Sequence, residues 1–581
     1  MRVLRVVLMI SAAFYAAFIA RSLFEVKGAL YATLFDDAMI SMRYARNLAG
    51  GQGLVWNPGG PPVQGFTNPA WTLIMAGVHA AGAPPRLASL VVMIIGAALL
   101  LTLATETFRL GRLITEDDDI AVTGAAFIAT SYAVVFWTLR GMEVGLLALL
   151  ITVAARAAIA YARDGRRRDL LRAGAALIAA LWTRPDALVP AAVLSGYLAS
   201  YAPRGRRQVL AIACVVGALG VAAPLVCSRW YYGTALPNTY YLKLGGSALR
   251  DRVGRGLLAL LSVSARSLAP ALLPAAALPV VAGPATPRVL RELALLAALV
   301  AAQLLYSISV GGDAWEWMGY ANRYIAIVMP FLAILTGAGV QAVVRRRGTA
   351  WPSGAGFLAL IGVHVVAVLY LLRSNRGIDS AAVDAYRAHS GAVVALLLAS
   401  GAVLALLALA ATARRSFAGV CAVVWLLTNG VPSGRWALEN ASMVSVDQNA
   451  ARVGLVIHET LAPGATVAVS KAGSIPYFAE RTTVDLLGKN DPAIARMAPV
   501  IAEFVPGHNK WDLRYSIGQL RPDLACNLPR RPGEIEYLRA EGYHAIGAAC
   551  FVRAGARLDE SRLAAGLAAV YPAAPSAAER R

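Results

Sequence analysis

The chain has 581 residues, 58% hydrophobic and 15% charged, with a net charge of +21. Much of it falls into charge-free blocks of about twenty residues, the length that crosses a ~30 Å hydrocarbon core at ~1.5 Å per residue. A soluble protein is excluded, because its helices would be apolar all round with nothing to cover them. The positive charge does not indicate nucleic acid either: Arg gathers in short runs between apolar blocks, "RDGRRRD" (163–169), "RGRR" (204–207), "RRR" (345–347) and "RR" (414–415), as cytoplasmic anchors do.

The apolar segment after Arg2 and Arg5 lacks a small-residue cleavage site and is expected to be a first transmembrane helix near 5–25, not a removed signal peptide. With the N-terminus inside and every basic loop kept there, about thirteen crossings follow. They lie near 5–25, 87–108, 119–137, 141–161, 170–185, 187–201, 208–230, 267–283, 290–309, 324–344, 351–372, 390–411 and 416–431. Two short stretches make a count of about 11 equally compatible. The block 69–83 would be about 22 Å as a helix, too short to span, and is expected to be half-inserted from the outer side. An odd number of crossings places the C-terminal part outside.

This topology sorts the polar segments by side. Inner loops are short and basic. The outer ones are 26–68, "RGME" (140–143), "TRPDA" (183–187), "RWYYGTALPNTYYLKLGG" (229–246) and "GGDAWEWMGYANRY" (311–324). The first of them contains "DDAMISMRYARNL" (36–48), a helical pattern with Met39, Met42 and Leu48 on one face and Arg43, Arg46 and Asn47 on the other. One of the two aspartates is expected to cap this helix. Neighbours on a helix point about 100° apart, so the other is free for chemistry. The remaining outer loops add Arg184, Lys243 and Arg323, cations suited to a phosphate. They also bring Tyr240, Tyr241, Trp315 and Trp317, flat rings suited to a sugar or to the membrane interface, and the carboxylates Glu143 and Asp313. A divalent cation held by carboxylates of different loops is compatible with this set; no His/Cys cluster supports zinc.

From about 435 the pattern alternates between helix-like and strand-like runs, as in "DQNAARVGLVIHETLA" (447–462), "ATVAVS" (465–470) and "TTVDLL" (482–487), which predicts a compact α/β domain. The expected division is 1–434 transmembrane, 435–560 α/β cap and 561–581 a poorly ordered tail. Cys214, Cys227 and Cys421 fall in apolar spans as packing residues. Cys526 and Cys550 can form a disulfide if the cap is extracytoplasmic. No G-x-x-x-x-G-K-[ST] run is present, so no P-loop NTPase is expected.

The loop "DDAMISMRYARNLAGGQGLVWNPGGPPVQGFTNPAWTL" (36–73) resembles the first extracytoplasmic loop of the GT-C superfamily of membrane glycosyltransferases. Within it the likeness is to the group of the mycobacterial terminal β-(1→2) arabinofuranosyltransferase and its bacterial relatives. "RGMEVGL", "TRPDAL", "YYGTALPNTYYLK", "GGDAWEWMGYANRY" and "AGSIPYF…VDLLGKNDPAIA…GHNK" follow in the order such relatives would have. The resemblance implies a polytopic α-helical GT-C protein of a bacterial inner membrane, with its active site and cap outside. It implies an inverting transfer of a sugar, D-arabinofuranose by the nearest likeness, from a polyprenyl-phosphate donor to an oligosaccharide or glycoconjugate acceptor. Asp36 or Asp37 would be the general base, and Lys243 and Arg323, with Arg184 behind them, would hold the phosphate. Glu143, Asn238 and Asp313, with Tyr240 and Tyr324, would line the sugar pocket. Lys471, Asp485, Lys489, Asn490, Asp491, His508, Asn509 and Lys510 would meet the acceptor or close the site. Competing readings are a lipid-linked sugar flippase, which would favour charges along the spans and not at one end of them, and a non-catalytic envelope or motility scaffold. Membrane lipids are expected partners; the oligomeric state is open.

Overall fold

The computed structural model describes residues 2–571 except 203–205, 269–270, 273–274, 276–285, 317–319, 321, 346–416, 502–503, 529–530, 532, 548–549 and 557. Most of the crossing expected at 267–283, those at 351–372 and 390–411, and Trp317 lie outside the described residues.

Helix α1 (Arg2–Ser22) leads into an antiparallel hairpin, β1 (Leu23–Val26) and β2 (Ala29–Ala32), and then α2 (Asp36–Ala49) and α3 (Pro69–Ala80). At 12 residues α3 is too short to cross a membrane by itself. The bundle continues with α4 (Pro85–Thr115), α5 (Asp118–Ala129), α6 (Tyr132–Leu139), α7 (Val144–Asp164), α8 (Arg167–Thr183), α9 (Leu188–Tyr201) and α10 (Arg207–Tyr232). Then come α11 (Asn238–Leu244), α12 (Leu249–Val263), α13 (Pro287–Ser309), α14 (Met329–Arg345) and α15 (Phe417–Glu439). Among the described residues six helices, α1, α4, α7, α10, α13 and α15, are long and apolar enough to cross a membrane, and α5 with α6 makes a seventh if that bent pair is one span.

The bend between α5 and α6 is 45°. Breaking a helix inside a bilayer frees backbone amides that hydrocarbon cannot satisfy. Here the Tyr132 amide donates to Asn429 Oδ1 of α15 at 3.0 Å. Close helix approach depends on small residues: a Cβ at Gly111 would lie 3.2 Å from the Ala121 Cα, so α4 and α5 touch backbone to backbone. Trp71, Trp137, Phe18, Phe136, Tyr161 and Phe331 fill the bundle interior.

The C-terminal domain comprises α16 (Val444–Thr460), β3 (Thr466–Val469), α17 (Ser474–Ala479), β4 (Thr482–Asp485), α18 (Pro492–Arg496), β5 (Leu524–Cys526), α19 (Glu534–Ala540), β6 (Tyr543–Ile546), β7 (Cys550–Arg553) and α20 (Glu560–Val570). Its sheet runs β4-β3-β5-β7-β6, with β3 parallel to β4 and β5, and β7 antiparallel to β5 and β6. Strand β3 reads "TVAV" without alternation because both its faces are covered. Val453, Ile457, Leu563 and Leu567 pack on Val467 and Val469. Ile517, Leu538 and Leu486 pack with Ala468 on the opposite side.

Residues 561–570, expected to belong to a loose tail, are helical instead. The Asp559 side chain caps α20 through the Arg562 amide at 3.0 Å, and Leu563 and Leu567 are buried against the sheet, so apolar burial orders this segment. Cys526 and Cys550 face each other in the β5–β7 register and are joined as a disulfide. Replacing both by serine is expected to destabilise the cap by about 2–4 kcal/mol, read as a lower midpoint of its denaturant unfolding.

Candidate active site

The loop between α1 and α3 meets the C-terminal domain along α2, and the candidate site lies at that junction. Phe35 is extended and offers its carbonyl to the Ala38 and Met39 amides (2.8 and 3.0 Å), which starts α2 with Asp36 and Asp37 in its first turn. Carboxylates are favourable there against the helix dipole. Neither caps the helix with its side chain, contrary to the expectation for one of them. Both are recruited by tertiary partners first.

Asp36 turns to the cap and accepts the amides of Ser474 (2.9 Å) and Gly473 (3.3 Å). A Cβ on Gly473 would collide with the Asp36 carbonyl, so only glycine allows this approach. Burial pushes the Asp36 carboxyl above its ordinary range, with nearby Lys471 opposing. Beneath it lies a buried charge chain: Arg140 Nη2 donates to Asp447 Oδ2 at 2.5 Å, and Lys471 Nζ stands 3.8 Å from Asp447 Oδ1.

Asp37 turns the other way. Its Oδ1 takes an ion pair from Lys489 of the cap, and its Oδ2 accepts from Arg323 Nη1 at 3.1 Å. Arg323 is bidentate on Asp313 (2.6 and 2.9 Å), and its guanidinium lies 5.5 Å from the Trp137 ring centre. Burial alone would raise the Asp37 carboxyl, but Lys489, Arg323 and Lys243 together hold it well below the usual carboxylate range. Lys243, on α11, makes no ion pair within 4 Å among the described residues; burial and Arg323 lower its ammonium to about 8. His508 closes the cluster. Its Nδ1 donates to the Pro506 carbonyl (3.0 Å), its ring is edge-on to Trp315 at 5.2 Å, and burial with Lys489 lowers it to about 4, so it is neutral.

The other candidate residues divide. Arg184 is held by Asp186 (2.8 and 2.9 Å) and Glu143 (3.3 Å) over the Tyr324 ring, and Glu143 also accepts from Asn68 (2.9 Å), so this cation is already compensated. Asn238 gives its amide to the carbonyls of Gly488, Lys489 and Asp491 (2.8 to 3.1 Å) and thereby positions the Lys489 loop. Asp485 accepts from the amides of Leu487, Gly488 and Asn490 and from the Asn490 side chain, folding the same loop. Asp491 caps α18, and buried Lys510 ties the carbonyls of Tyr241 and Ala495 together at 2.9 Å each. Asn509 is buried beside it, and Tyr240 stands 44% exposed at the rim.

Arg43 and Arg140 were not among the candidates. Arg43 is buried, donating to Trp56 O (2.6 Å), Arg481 O (2.8 Å), Asn57 Oδ1 (2.9 Å) and Thr483 Oγ1 (3.1 Å). On the polar face of α2, Arg43 is therefore buried, in part against the cap, while Arg46, which reaches Tyr477 O and Glu480, stays partly exposed. Neither position carries a signal in the sequence, because periodicity marks a polar face without saying what covers it.

Among the described residues no group of three or more His, Cys, Asp or Glu converges as a metal site. Asp37 and Asp313 already hold Arg323 and Lys489 where a divalent cation would need to sit, so these residues do not fit the cation entertained from the sequence.

Residues 439–565 match the family described as Domain of unknown function (DUF8728). No curated protein matches the chain in sequence. Among solved structures, ArnT from Cupriavidus metallidurans bound to undecaprenyl phosphate superposes with a TM-score of 0.52 at 14% identity, covering 94% of this chain and 98% of that one. The oligosaccharyltransferase of Archaeoglobus fulgidus in its apo form gives a TM-score of 0.42 at 12% identity, over 83% of this chain and 64% of that one. The chain is a multi-pass membrane protein with the GT-C fold and a C-terminal α/β domain.

Proposed function

We propose that the protein is an inverting glycosyltransferase that uses a polyprenyl-phosphate sugar as donor, with Asp37 as general base. The observation that carries this reading is an uncompensated cation: Arg323 and Lys489 are ion-paired to Asp37 and Asp313, while Lys243 beside them has no carboxylate within 4 Å among the described residues. A phosphodiester anion supplies the missing charge. The acceptor oxygen attacks the anomeric carbon, the bond from that carbon to the phosphate oxygen breaks, and polyprenyl phosphate leaves with its developing charge held by the three cations. The hydroxyl proton passes to Asp37. In the free protein Asp37 is too tightly paired to be a good base. The donor phosphate competes for Lys489 and Arg323, loosens that pairing and raises its proton affinity when it is needed.

The donor sugar is D-arabinofuranose on the likeness of the first loop, and the acceptor is a cell-envelope polysaccharide or glycoconjugate. The Cys526–Cys550 disulfide and the basic loops at the opposite ends of the spans support an outer-face site in a bacterial inner membrane. The test is turnover in detergent with decaprenyl-phosphoryl arabinofuranose, a set of pentose and hexose donors, and oligosaccharide acceptors. Product from one donor supports the reading; wild type and Asp37→Asn equally inert with every donor would overturn it.

The pH profile follows from Lys243. Phosphate binding needs its protonated form, so kcat/KM is expected to be level just below pH 8 and to fall about tenfold per unit above it. Lys243→Arg keeps the charge at all accessible pH and should move that limb upward. An unchanged limb would separate it from Lys243.

A further inference from the structure

We propose that the outer rim of the site is a binding strip for an anionic saccharide, so that the acceptor carries carboxylate or phosphate groups. Tyr240 and Lys243 are three residues apart on α11, a spacing that puts them on one side of the helix, and the Tyr240 ring is exposed there. Tyr241 carries the guanidinium of Arg496, 4.6 Å from its ring centre. Trp511 carries that of Arg531 at 3.5 Å. The two stacks are linked through the interior: buried Lys510, next to Trp511, hydrogen-bonds the carbonyls of Tyr241 and of Ala495, next to Arg496.

Neither arginine forms a direct ion pair among the described residues. Arg496 reaches only the Pro492 carbonyl of its own helix at 3.4 Å, and Glu534 accepts the Arg531 backbone amide at 2.9 Å, not its guanidinium. A guanidinium lying flat on an aromatic ring keeps its hydrogen-bonding edge outward, in a fork that fits a carboxylate or phosphate. Two such forks beside an open tyrosine ring form a surface with both anion-binding edges and a flat apolar face for a sugar. A neutral glycan would leave the forks unused.

The inference depends on the glycosyltransferase reading only in naming the ligand an acceptor, and binding tests it separately. Full-length protein in nanodiscs of neutral lipid is titrated with a hyaluronan tetrasaccharide and with maltotetraose. The charged probe is expected to bind at least tenfold more tightly, with roughly tenfold lost in each of Arg496→Gln and Arg531→Gln, and Lys27→Gln, in the β1–β2 turn and exposed, binding as wild type. Equal binding of both probes, or full binding by variants of unchanged melting temperature, would overturn the strip. So would loss in these variants of binding to anionic phosphatidylglycerol nanodiscs while hyaluronan binding is intact, since the arginines would then be membrane contacts. Hyaluronan binding without turnover of any donor would refute the enzyme and leave the strip standing.

Discussion

Asp37→Asn is expected to lower kcat/KM by about 10²–10⁴, the contribution of a positioned general base, while tightening the binding of the donor's polyprenyl phosphate. The sign of the second effect is diagnostic. In the wild type Asp37 competes with the phosphate for Lys489 and Arg323, and an amide competes poorly. A carboxylate that merely held the fold together would instead weaken binding when removed. Asp36→Asn serves as the contrast. Asn still offers its one oxygen to the Ser474 amide and loses only the longer contact to Gly473 (3.3 Å), and Asp36 has no cation within 4 Å among the described residues. It should retain turnover within about tenfold. Measuring kcat and donor Kd separately for both variants decides between them; a larger catalytic loss in Asp36→Asn would reverse the assignment.

The second large effect is structural. Arg140→Met is expected to destabilise the docked cap by about 3–5 kcal/mol, because it strips the Asp447 carboxylate of its charge-assisted partner at a position with no exposed side-chain surface. Lys471, 3.8 Å from the other carboxylate oxygen and itself without a hydrogen bond, compensates only in part. Limited proteolysis should then release the C-terminal domain where wild type resists. The double variant Arg140→Met/Asp447→Leu removes both charges and should recover most of the loss. If it is as labile as the single variant, packing and not charge pairing is responsible.

The sequence by itself determined the parts whose physics is local. Charge-free blocks and basic runs marked the long apolar helices, six or seven among the described residues, while the crossings expected at 170–185, 187–201 and 324–344 are helices of 17, 14 and 17 residues, short for a full span. The change of period after 435 marked the α/β domain. The first outer loop disclosed two carboxylates at a helix start, and "TYYLK" and "GYANRY" the cations that would face them. What each polar residue does was decided only by tertiary structure, because a polar side chain takes the partner that folding presents to it. Asp36 and Asp37 are adjacent in sequence and chemically identical, yet one meets backbone amides of the cap and the other meets Lys489 across 452 residues of chain. Asn238, Asp485, Asp491 and Lys510 have the chemistry of a binding site and spend it on shaping loops. Arg43 has the chemistry of a solvated helix face and is buried. Periodicity reports which face is polar; it cannot report whether water or another domain covers that face, and here that domain carries Lys489 and His508 of the candidate site.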